Sequence, residues 1–178
     1  RYGQPDGLRD DTVWMMGAPD WSTLAMWHDA VPTIDDALAV AEKQLGWVRS
    51  TLHDMWNTVA VYSGVGYGTQ DFQPVANSHY GYHMVAWHAL FALSGQFYDR
   101  PAGRLTLAPK LTVPFELPVL VPYTTASVVC DAAGSCTLAV VAGKPLTLQA
   151  LAIDGIAAPG PPLTLTEGQS VTWTVYTS

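Results

Sequence analysis

The sequence predicts an α+β fold in two parts, a helical region over residues 1–99 and an antiparallel β region over residues 100–178. Three observations predict it. Residue usage changes near Asp99, since all five His and six of the seven Trp precede it while nine of the thirteen Pro follow it. The first part carries apolar residues at helical spacing. The second carries short β-branched runs separated by Gly and Pro.

A first helix is predicted over about residues 20–30. In "PTIDDALAVAEKQLGWVRSTLHDM", Leu38, Ala41, Leu45, Val48, Leu52 and Met55 recur at steps of three and four, the mark of one helical face. Thr33 with Asp36 reads as a capping box with Asp in place of Glu, which starts this long helix near Thr33. The segment "VYSGVGYGTQDFQPVAN" reads as a long Gly- and aromatic-rich loop, a candidate pocket lining.

A central helix is predicted over residues 78–95, with Ser78 as its cap and Gly95 as its stop. Met84, Trp87 and Phe91 share one face, and Val85, Ala89 and Ala92 another. Apolar on more than one side, this helix needs cover.

The β region follows from "RLTLAP", "PVLVP", "TASVVC", "CTLAVV", "PLTLQALAI", "PLTLTEG" and "SVTWTV". Its prolines fit edge strands and strand ends, because a proline cannot donate to a ladder. Cys130 and Cys136 bracket "DAAGS" between two strand-like runs, where a hairpin sets them opposite each other. A disulfide is expected, and with it an extracellular or secreted setting. The alternative reading is a pair of reduced cysteines in a cytosolic hairpin. Closing so short a loop contributes about 2 kcal/mol, enough to staple the hairpin without deciding the fold.

The hydrophobic content of 49% against 13% charged residues indicates a well-cored protein. The net charge of -7 gives no basic stripe for nucleic acid or anionic lipid, and no apolar run reaches the length of a membrane-spanning helix.

The stretch "SHYGYHMVAWHALFALSGQFYDRPAGRLTLAPKL" resembles the C-terminal region of glycoside hydrolase family 116, the non-lysosomal glucosylceramidase and β-glucosidase group, through its aromatic helix, "LSG", "YD", "GRL" and "LAPK". Similarity extends to "VWMMGAPDWSTLAMW", "AEKQLGWVRSTLHDMWN" and "LAIDGIAAPGPPLTLTEGQSVTW". The resemblance implies part of an (α/α) toroid followed by a β segment. It also implies that the Glu nucleophile and Asp acid/base of such enzymes lie upstream of the matched residues. Without paired carboxylates a glycosidase has no mechanism. Gln73 and Tyr82 stand where the resemblance implies a sugar-binding Glu and Arg, and both departures remove charge.

His79 and His83 stand at metal-ligand spacing, but no Glu follows the first and no third ligand is placed, so neither a metal nor a cofactor is expected. The plainer reading has them bonding along the helix edge. Asp10, Asp11, Asp20, Asp54 and Asp71 lie near aromatic residues, as a carbohydrate surface requires. Asp20 and Asp54 equally suit helix caps or edges. Asp20, Asp71, His79 and Tyr82 are the candidate ligand contacts.

About 100 helical residues cannot close a toroid, which needs on the order of 200 at ordinary helix and loop lengths. An open apolar face results, with Met84, Trp87 and Phe91 as candidate interface residues. The expected function is a non-catalytic structural or interaction module that self-assembles into an oligomer or polymer. Two alternatives stand beside it. One is the C-terminal chain of a processed β-glucosidase, seated against an upstream fragment of the same precursor that carries the carboxylates. The other is a carbohydrate-binding module.

Overall fold

A computed structural model describes residues 12–14, 17–50, 61–63, 74–75 and 86–176. The chain divides into two compact units, Arg1–Ala89 and Leu90–Ser178. Among the described residues, the first holds helices and one small sheet, and the second is built mostly of strands. The α+β class and its order along the chain are those the residue usage predicts.

In the first unit, β1 (Thr12–Trp14), β2 (Val61–Ser63) and β3 (Pro74–Val75) form an antiparallel sheet in that order. The segment expected to be a loop therefore contributes two strands, because Val61 and Tyr62 bring β-branched and aromatic side chains to its start. Pro74 sits on the edge strand β3, the kind of strand on which proline is tolerated.

Helix α1 spans Gly17–Trp27 and α2 spans Ile34–Ser50, and the two pack together. The start of α2 is set by the expected reciprocal cap. Asp36 N–H donates to Thr33 Oγ1 at 3.2 Å, while Thr33 N–H donates to Asp36 Oδ2 at 3.1 Å. The end of α1 closes on itself in a Schellman pattern, with Ala30 N–H bonded to the Ala25 carbonyl and Asp29 in left-handed backbone at φ 47°. Of the residues expected on one face of the long helix, Leu52 and Met55 lie outside the described residues, as does Ser78, the expected cap of the central helix.

The central helix α3 is described over Ala86–Ser94. Gly95 ends it at φ 54°, and a Cβ there would collide with the Ala108 carbonyl, so only glycine fits this stop.

The second unit holds three sheets. One runs β11 (Ile156–Ala157), β10 (Ala150–Ile153), β5 (Arg104–Leu107), β4 (Phe97–Asp99). A second pairs β12 (Leu163–Leu165) with β9 (Leu146–Leu148). The third runs β13 (Ser170–Thr174), β8 (Ser135–Gly143), β7 (Thr124–Cys130), β6 (Phe115–Val121). Every quoted β-branched run supplies at least one of these strands, and "PLTLQALAI" supplies both β9 and β10. The pairings are antiparallel except for β5 with β10, which run parallel.

Alternation decides which faces are buried. Phe115, Leu117, Val119 and Val121 of β6 point inward, as do Ala126, Val128 and Cys130 of β7 and Cys136, Leu138 and Val140 of β8. They join Leu105, Leu107, Leu151 and Ile153 in one cluster that also takes Trp173. Pro118 lies in β6, an edge strand, as the proline placement requires.

Candidate functional site

Helix α1 is turned inside out relative to ordinary amphipathicity. At 100° per residue, Ser22, Thr23, Ala25 and Met26 fall on one side and Trp21, Leu24 and Trp27 on the other. The first set, half of it hydroxylic, is buried. The second is left 46%, 57% and 39% exposed. A surface helix normally hides its large apolar face. Trp87, at the start of α3, is also half exposed.

Asp20 stands in the first turn of α1, and its carboxylate lies 3.9 Å from His88 Nδ1 of α3, within ion-pairing distance when the imidazole is protonated. That contact sets the beginnings of α1 and α3 side by side. An acidic residue in a first helical turn also faces the positive end of the helix dipole. Asp20 is thus placed as a helix-start residue, and the chemistry of this pair is orientation.

Behind α1 lies a cavity of about 560 Å³. Pro19 and Ser22 of α1, Leu38, Ala41, Glu42, Leu45, Gly46 and Arg49 of α2, and Ala89 of α3 line it. Its walls are apolar, with one acidic and one basic side chain, both from α2. Gly46 opens directly onto free space, since a Cβ there would meet nothing within 4 Å. Ser22 is 1% exposed, and its hydroxyl has no hydrogen-bond partner among the described residues. Its neighbour Thr23, by contrast, donates to the Pro19 carbonyl at 2.9 Å.

Asp71, His79, Tyr82 and Met84 lie outside the described residues, as do Asp10, Asp11, Asp54, Gln73, His83 and Val85. Phe91 is partly buried, while Ala92 is fully buried. No group of His, Cys, Asp and Glu that could hold a metal occurs among the described residues. The residues missed by periodicity are Trp21, Leu24 and Trp27 on the open face and Ser22, Glu42, Gly46 and Arg49 at the cavity. Gly46 carried a signal, being a glycine inside a strongly helical pattern.

In the second unit, Cys130 and Cys136 are cross-strand partners joined as a disulfide, with Cα atoms 4.0 Å apart. Asp131 organises the turn they close, its Oδ1 accepting from the N–H groups of Ala133 and Ser135, both at 2.9 Å. No helix among the described residues is long and apolar enough to cross a membrane. Comparison of the chain with protein-family models and with curated proteins gives no match.

Proposed function

We propose that the chain is a non-catalytic structural or interaction module, resembling the C-terminal part of a family 116 β-glucosidase, that self-associates through the exposed apolar face of its helical unit. The outward face of α1 carries the reading. Trp21, Leu24 and Trp27, with Trp87, leave on the order of 400 Å² of apolar surface exposed, comparable with the largest patch of an ordinary monomer, which is often a functional one. None of the four side chains is charged, so a second copy meets the patch with like chemistry across a twofold axis.

At about 25 cal/mol per Å², covering one copy's patch gives a gross gain of about 10 kcal/mol, comparable with the cost of association. Two such patches together bury on the order of 800 Å², below the range of stable interfaces, so weak self-association at micromolar concentrations and above is expected. The disulfide supports an extracellular or secreted setting for the assembly, since such bonds persist under oxidising conditions.

Sedimentation velocity across micromolar concentrations tests the reading. The unmodified chain should show a mass that rises with concentration, and the double variant Trp21→Asp, Leu24→Asp should remain monomeric. A folded monomer at every concentration, or an assembly indifferent to both substitutions, overturns it.

A further inference from the structure

We infer that the cavity between α1 and α2 is a binding site for a small amphipathic carboxylate, with an apolar body, one anionic head and an acceptor oxygen along the body. Its volume of about 560 Å³ falls within the range of sites that enclose small organic molecules, roughly 300–1,000 Å³. The α2 residues that line it run from Leu38 to Arg49, eleven residues apart, a length of roughly 16 Å along the helix. Leu38, Ala41, Leu45 and Ala89 provide a wall for an extended apolar body.

Arg49 stands at one end of that row, a guanidinium suited to a carboxylate. Glu42 lies two turns back on the same helix and disfavours a second negative group along the body. The head is therefore a single carboxylate at Arg49. Ser22 supplies the remaining demand. A buried hydroxyl without a partner is costly to keep, and a ligand oxygen satisfies it once the side chain turns about χ1 toward the cavity it lines. Gly46 lines the cavity, and a Cβ there would meet nothing within 4 Å, so the wall has room at this position.

This site uses the inner side of α1, whereas self-association uses its outer side, so the two readings fail separately. Calorimetric titration of the full chain tests it, with three probes kept below the concentrations at which they aggregate: decanoate, decanol, and a mid-chain keto derivative of decanoate. Decanoate should bind saturably at one site per chain, with decanol weaker by about tenfold or more. Arg49→Gln should bring decanoate down to the level of decanol. Gly46→Leu should abolish binding of all three while leaving the helical circular dichroism intact. The keto derivative should bind more tightly than decanoate, and Ser22→Ala should remove that advantage. Non-saturable uptake, or equal affinity of the unmodified chain and Arg49→Gln for decanoate, overturns the assignment. The Arg49 variant keeps the test decisive even if Gly46→Leu perturbs the fold, because Arg49 is exposed.

Discussion

Gln96, the residue just before β4, covers the free edge of β6. Its Nε2–H donates to the Leu120 carbonyl at 2.7 Å, and the Leu120 N–H donates to its Oε1 at 3.1 Å. The carboxamide thereby stands in for a neighbouring strand on the free side of β6 and blunts a surface that would otherwise template pairing with another chain. Gln96→Ala leaves both backbone groups of Leu120 without these partners and should cost about 2 kcal/mol in urea unfolding. Tyr176 makes a different closure, donating its phenol to Asp154 Oδ2 at 2.6 Å in the turn between β10 and β11. Burial, then the hydrogen bond to Asp154 and its charge, push the phenol well above the ordinary tyrosine range. The folded chain therefore holds this proton more firmly than the unfolded one. Its contribution is complete below the ordinary phenol range and is lost as pH rises above about 10. Tyr176→Phe should flatten the decline of stability between neutral and strongly alkaline pH, measured by denaturant midpoints, while lowering stability at neutral pH by about 1 kcal/mol.

At the scale of elements, local pattern and tertiary choice separate cleanly. The start of α2 was legible because the Thr33 and Asp36 cap is a local device, complete within four residues. Thr33→Ala should therefore destabilise the helical unit by about 1 kcal/mol, read as a lower thermal midpoint. Gly46→Ala should shift it the other way by about 0.8–1 kcal/mol, since the site is helical, open and carries no strain. The faces of β6, of β7 and of β8 as far as Val140 follow local alternation, which assigns a side to each residue. The orientation of α1 was not legible in this way. Periodicity says that Trp21 and Leu24 share a side, but only tertiary packing, which buries Ser22 and Ala25, decides which side is hidden. The parallel pairing of β5 with β10 was equally out of reach, because some forty residues separate strands whose local patterns are the same as those of antiparallel ones. The cavity escaped for the same reason as α1, since Ser22 and Arg49 come to line one cavity only after the helices pack. The disulfide was legible, since the hairpin that joins Cys130 to Cys136 is itself a local element.

At the scale of the molecule, the second unit closes on itself. Every residue of its hydrophobic cluster lies between Leu105 and Trp173, and the partly buried residues packed against it begin at Leu93. The unit also contains its own staple at Cys130 and Cys136, its own edge cover at Gln96 and its own terminal latch at Tyr176. Gly134 adds a further closure: it takes φ 82° where a Cβ would strike the Tyr176 carbonyl, and its own carbonyl accepts from the Val175 N–H at 2.9 Å, so the hairpin tip is fastened to the segment that follows β13. Residues 90–178 produced alone should therefore fold. Trp173 is the single tryptophan of that segment, 6% exposed, and so reports its core without interference. Its fluorescence should be blue-shifted and should shift to the red in one cooperative urea transition, coincident with loss of the strand signal in circular dichroism. Leu151→Ala, which empties a fully buried position on β10, should lower the stability of the isolated segment by about 2–5 kcal/mol with little change in the slope of the transition. A segment with a solvent-exposed Trp173, or one that loses structure gradually, would show that its core depends on residues before Leu90.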